Sequence, residues 1–207
     1  MLDVHAPEHN IHGVRDFVVH LLTITVGLLI ALALEAGVEA MHHRHQRKEA
    51  ETLIRQELQS NRGAIHDGTA GLKAEIEGMT KALRTLEDLS QGKPGTLDTD
   101  SLQFHQGFLR DSAWRTASTT GALSYMDYSE VEQFSEAYKE QGQLESMEEL
   151  AINDYLQLLP ILKSPGAVLD AARAKDALPY ARAAMGHLSG IYFVGVGTLG
   201  SYDQALK

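Results

Sequence analysis

Hydrophobic residues in this chain fall first into one unbroken run and then into stripes spaced a helical turn apart. Residues 17–34 read FVVHLLTITVGLLIALAL, with His20 as the only ionisable side chain. At the α-helical rise this run spans ~27 Å, close to the hydrocarbon thickness of a bilayer. Such a run is long for a core helix in a 207-residue chain. It predicts a transmembrane helix over 17–41, because Val38, Ala40 and Met41 carry the apolar character past Glu35. A cleaved signal peptide would open with a basic region. Residues 1–16 instead set Arg15 against Asp3, Glu8 and Asp16, and Ala31, Ala33 and Ala36 lie inside the apolar run or at its edge. The run therefore reads as a retained anchor behind a short tail, 1–16.

After the anchor the pattern changes to helical stripes. Residues 46–60 (QRKEAETLIRQELQS) lack Gly and Pro and carry Leu53, Ile54 and Leu58 on one side. Leu72, Ile76, Met79, Leu83, Leu86 and Leu89 then form a near-heptad seam. Gly63, Gly68 and Gly71 lie between, and Asp67-Gly68 is a turn signal. Residues 42–90 thus make one juxtamembrane helix or a helical hairpin. Positions 54, 58, 61, 65, 72, 76 and 79 keep a single phase across the glycines, which favours one helix.

Residues 91–100 (QGKPGTLDTD) predict a loop, and 101–207 a helical bundle. Its expected elements begin with a short helix over 102–109. A helix capped by Asp111 or Ser112 then runs to about Met126. The next is capped by Asp127 or Ser129 and striped by Val131, Phe134 and Tyr138, and another covers 143–162, ending before Ser164-Pro165-Gly166. Leu178, Ala181, Met185, Leu188, Tyr192, Gly195, Leu199, Tyr202 and Leu206 alternate steps of three and four. They predict a long final helix packed on the 72–89 seam or its neighbour, with Pro179 in its first turn. The fold class is all-α: one transmembrane helix continuing into a helical-bundle or coiled-coil-like domain outside the bilayer.

Composition narrows the function classes. A formal charge of −10 argues against a general nucleic-acid binder, which needs a basic surface. The absence of Cys removes disulfides, thiolate metal sites and cysteine nucleophiles. Around the apolar run, Arg15 lies upstream, whereas Arg44, Arg47, Lys48 and Arg55 lie downstream, beside His42, His43 and His45. The positive-inside rule then places the C-terminal domain in the cytoplasm.

Candidate chemistry is sparse. Gly27 and Ala31, Ala33 and Gly37, and Ala36 and Ala40 are each four apart, the spacing that lets membrane helices approach closely. Gly27, Ala31, Gly37 and the ionisable Glu35 are accordingly candidate membrane or oligomer contacts. His20 and Glu35 stand ~22 Å apart along one helix, so they cannot pair within a monomer. Glu39-x-x-His42 has the spacing of di-iron bundles, but it occurs once, so Glu39 and His42 would hold metal only in an oligomer. Their ordinary reading is a polar collar reaching for the headgroups.

Gly195-Val196-Gly197-Thr198-Leu199-Gly200 matches GxGxxG after the strand-like run 191–194. A dinucleotide site also needs a following helix, a second strand and an acid ~20 positions on, so the match reads as accidental. Nine acidic residues against Lys139 alone make 127–154 a solvated face or a docking surface for a basic partner. Trp114, Ala117 and Gly121 share one face of a predicted helix, a packing site or a partner contact. With no GxSxG, P-loop or HExxH motif, no catalytic residue and no cofactor is indicated.

The stretches 26–35 (VGLLIALALE), 42–58 and 113–123 together resemble a group of uncharacterised bacterial single-pass membrane proteins. These share such a span, a charged helix directly after it and a later Ala-Trp…Thr-Gly-Ala-Leu segment. A looser similarity is to domain-of-unknown-function proteins whose span reads ILIALQINNWNE, where this chain has EAGVEAMHH after its span. The resemblance implies a bacterial inner-membrane setting and carries no activity or site residues. The expected function is that of a non-enzymatic protein working through protein contacts, as a homo-oligomer or an accessory subunit of a membrane complex. The alternatives are a sensory protein with an extracytoplasmic bundle and an oligomeric metal-binding protein.

Overall fold

Helix-forming residues dominate the chain, and a computed structural model of it, describing residues 13–100, 102, 104, 107–163 and 169–207, is all-helical. The elements are α1 (Val14–Ser90), α2 (Ser112–Thr119), a 3-10 turn (Ala122–Tyr125), α3 (Tyr128–Leu162) and α4 (Ala171–Ala205), with no strand among the described residues. Two compact units divide the chain, Met1–Gln46 and Arg47–Lys207.

In the first unit, α1 contains an 18-residue window with mean hydropathy 2.5, none of it buried. Among the described residues this is the one helix long and apolar enough to cross a membrane. Leu21, Leu22, Leu28, Leu29 and Ile30 all stand exposed. Its two threonines turn their hydroxyls back onto the helix, Thr23 to the Val19 carbonyl at 2.9 Å and Thr25 to that of Leu21 at 2.8 Å. Neither threonine therefore presents an unpaired hydroxyl donor on the side of the helix.

In the second unit, α1 buries Ala50, Ile54, Leu58, Asn61, Ile65, Leu72, Met79, Ala82 and Leu86 on one stripe. It runs through Gly63, Gly68 and Gly71 without turning, and none of the three has a positive φ. The chain reverses at Gly92, whose φ of 74° suits a residue without a Cβ, while its N–H bonds the Leu89 carbonyl at 2.9 Å. A strap then returns along α1, with Gly95 against Thr85 and Leu89, and Arg110 against Asn61. Next, α3 starts near Arg47 and climbs parallel to α1, pairing Asp127 with Arg47, Tyr138 with Glu57 and Gln141 with Asn61. Antiparallel to both, α4 sets Arg182 by Glu87 and Asp203 by Arg62. Three long helices and the strap enclose one core.

Several expected elements differ. The described residues of 102–109 are not helical, and the others lie outside the described residues, as does Ser164-Pro165-Gly166. The helix expected to reach Met126 ends at Thr119. Gly121 then takes a φ of 77° at the start of the 3-10 turn, so it shares no helical face with Trp114. The two helices expected over 127–162 are one, because Gly142 sits in open space on an exposed helix face and breaks nothing. Helix α4 starts earlier than expected, at Ala171, where the Asp170 carboxylate accepts from the Arg173 N–H at 2.9 Å, so Pro179 lies inside the helix.

The buried seam of α4 is Ala174, Ala177, Leu178, Ala181, Ala184, Leu188, Ile191, Gly195, Thr198, Tyr202 and Ala205. Small residues occupy many of the deepest positions, while Met185, Tyr192, Leu199 and Leu206 flank them, half-buried. At Gly195 a Cβ would lie 3.3 Å from the Thr69 hydroxyl, so this glycine sets how closely α4 approaches α1. The GxGxxG match lies wholly within α4, without the strand and turn a dinucleotide site requires.

Candidate functional site

Polar side chains at core positions are the feature of this fold most in need of a reason, since each must find partners away from water. Asn61 is 2% exposed. Its amide nitrogen donates to the Arg110 carbonyl at 2.6 Å and to Gln141 Oε1 at 3.1 Å, while its oxygen accepts the Arg110 N–H at 3.0 Å. Gln141 donates in turn to Glu145 at 3.0 Å and accepts the Tyr202 hydroxyl at 2.5 Å. Asn61 thus acts like a strand partner for the strap, satisfying both backbone groups of Arg110.

One turn earlier, Glu57 accepts the Ser112 hydroxyl at 2.7 Å, the Ala113 N–H at 3.0 Å and the Tyr138 hydroxyl at 2.7 Å. Burial alone would raise its pKa. The bonds from Ala113, Ser112, Tyr138 and the Trp114 N–H outweigh that and hold it below the usual carboxylate value. Asp111, the N-cap of α2 by position, makes no side-chain cap bond. Glu57 caps α2 from another helix instead, placing a negative charge on free N–H groups. The Tyr138 hydroxyl is pushed up by burial and then by the Glu57 carboxylate, and its ring stacks on Trp114 with centroids 5.4 Å apart.

Nearer the start of this unit, Arg55 bonds Glu51 at 3.2 Å, Glu130 at 2.8 Å and the Ala205 carbonyl at 3.0 Å, closing the C-terminal end of α4. Arg47 bonds Asp127 at 2.6 Å. On the α3–α4 face, His187 bonds Asp154 at 2.6 Å.

Beyond the Asn61 cluster a cavity of about 30 Å³ opens inside the core. Its lining includes Ile65, Leu72, Phe104, Leu144, Glu75 and Glu148. The volume suits water and is too small for an organic ligand. Glu148 receives the Gly107 N–H, yet its Oε2 is buried with no hydrogen-bond partner among the described residues. Burial, then the nearby Glu145 and Glu75, push its pKa up to about 7, against the opposing Gly107 bond.

The residues singled out from sequence are placed apart. Gly27, Ala31, Glu35 and Gly37 lie exposed on α1, and Cβ atoms at the two glycines would meet open space. Glu39 pairs with His43 at 3.8 Å, and the His42 ring faces that of His43 at 6.3 Å. No group of three potential metal-ligating side chains occurs among the described residues. Trp114 is brought into the Glu57 cluster, and Gly121 forms a turn instead.

Sequence reasoning missed Glu57, Gln141 and Glu148. Asn61 carried a signal, since it stands in the phase shared by Ile54, Leu58 and Ile65. No protein-family model, curated protein or solved structure matches this chain.

Proposed function

We propose that the chain is a membrane-anchored, non-enzymatic protein, its α1 crossing a bacterial inner membrane and its second unit a helical bundle that engages other proteins. The observation that carries this reading is the apolar segment of α1, whose large side chains stand exposed. Burying them in lipid or against another membrane helix removes that exposure. Gly27, Ala31 and Gly37 leave room along it for a second backbone, of this protein or of a membrane complex it serves.

The second unit supports a binding role over a catalytic one. Its most buried polar side chains are spent on holding the strap and α2 in place. The basic residues after the span orient this unit towards the cytoplasm. A reporter fused at the C-terminus gives a cytoplasmic signal on this account and a periplasmic one on the sensory alternative. Solubilising the full chain in mild detergent, with mass spectrometry of what accompanies it, tests the binding role. An oligomer or a stoichiometric partner is expected; a lone monomer overturns it.

A further inference from the structure

The second unit begins at Arg47, and only residues 42–46 separate it from the end of the apolar run at Met41. Whatever path those residues take, six residue steps span at most ~20 Å. On the reading that α1 crosses a bilayer, the start of the second unit is tethered within reach of the headgroup layer, which adds ~6 Å to each side of the hydrocarbon. The tether replaces bulk encounter with a high local concentration, so a weak surface contact is enough to hold the unit against lipid.

Two exposed side chains at this end make no polar contact among the described residues. Tyr128, in the first turn of α3, is 83% exposed. Its neighbour Asp127 accepts from Arg47 at 2.6 Å, which fixes the tyrosine beside the start of the unit. Lys48 is exposed and has no acidic partner among the described residues. The chain reaches Tyr128 by descending alongside α1, from Ala113 at Glu57 to Asp127 at Arg47. On that descent Thr120 donates to the Thr116 carbonyl at 2.8 Å and Ser124 to that of Gly121 at 2.7 Å, so entering a drier layer strands neither hydroxyl proton.

The charges at this end decide which surface it fits. Arg47 holds Asp127, and Arg55 holds Glu51 at 3.2 Å and Glu130 at 2.8 Å. Glu49 is also engaged within the chain. The exposed Glu132 lies a full turn beyond Tyr128 on α3, ~5 Å farther from the tether. Residues 42–46 add Arg44 and no acid. The charge left unmatched nearest the tether is therefore positive, complementary to anionic lipid.

We propose that this end of the second unit is a lipid-docking surface, with the Tyr128 ring in the headgroup layer and Lys48 on anionic headgroups beside it. The inference rests on α1 crossing a membrane and names a second contact with that membrane. A tyrosine suits the layer because its ring is apolar and its hydroxyl stays wet. A docked unit gives up its near end as a protein-binding surface. Its sides and the turn at Gly92 are what remain for a protein partner.

The chain contains no Cys, so one introduced thiol carries a nitroxide label at one place. The full chain, labelled at Ser129→Cys, Ile30→Cys or Lys93→Cys, is placed in phosphatidylcholine vesicles with or without phosphatidylglycerol. Label accessibility to oxygen, which concentrates in lipid, is compared with accessibility to a water-soluble nickel chelate. The label at 30 should report hydrocarbon, the label at 93 water, and the label at 129 the headgroup layer when phosphatidylglycerol is present. Lys48→Gln, or omitting phosphatidylglycerol, should lower the docked population on the order of 5-fold. Tyr128→Ser should return the label at 129 to water, and neither variant should move the label at 93. A label at 129 as aqueous as that at 93, with the label at 30 in lipid, overturns the docking proposal and leaves the membrane reading standing. A label at 30 in water overturns the membrane reading and the proposal with it. A label at 129 shielded from both reagents means that protein covers this end, which also overturns lipid docking.

Discussion

Glu57 shows how one side chain joins three elements. Its carboxylate ties α1 to the first turn of α2 and to Tyr138 of α3. Glu57→Ala strands the Tyr138 hydroxyl, the Ser112 hydroxyl and free N–H groups of α2 together. It should cost about 2–4 kcal/mol in chemical denaturation. Because the folded pKa of Glu57 is lowered, its contribution is present above the ordinary carboxylate range and lost as pH falls through the folded value. Wild type should therefore lose stability in acid more steeply than Glu57→Gln. Tyr202→Phe removes a single donor from Gln141, which keeps its bond from Asn61. A loss of about 1 kcal/mol is expected from the same measurement.

Among the elements, glycine has two opposite meanings. Gly63 and Gly71 lie in the interior of α1 with open space where a Cβ would go. Gly63→Ala and Gly71→Ala should each stabilise the unit by about 0.5–1 kcal/mol. Had the chain turned there, as the hairpin alternative required, alanine would have been destabilising. Gly195 lies against Thr69 and Ile65, so Gly195→Val forces α4 away from α1 and should cost about 1–3 kcal/mol. The same logic explains which elements were legible. Continuity of α1 was readable because Ile54, Leu58, Ile65, Leu72 and Met79 hold their phase across the glycines. The unity of α3 was not, because its core stripe places Gln141 and Glu148 where hydrophobic residues would have marked the period. The α4 seam was read one position off at Met185, Tyr192, Leu199 and Leu206, because the deep positions are Ala184, Ile191, Thr198 and Ala205, with the larger, half-buried side chains beside them. The Asn61 and Glu57 clusters depend on a strap that returns along α1. No sequence period marks that path.

At the scale of the molecule, two carboxylates of opposite habit bound the working range of the second unit. Glu57 weakens the fold when protonated in acid, and Glu148 weakens it when ionised towards alkaline pH. Thermal unfolding of the full chain should show a stability maximum on the acid side of neutrality, and Glu148→Gln should broaden that maximum upward. The first unit raises a different question, because none of the apolar window of its helix is buried. Lipid is its proposed partner. Intact-mass measurement of the protein left in membranes after an alkaline carbonate wash tests that assignment most directly. A species retained in the washed membranes with residues 17–41 uncleaved is expected; release into the wash, or a mature N-terminus beyond the apolar run, would contradict a lipid-embedded α1.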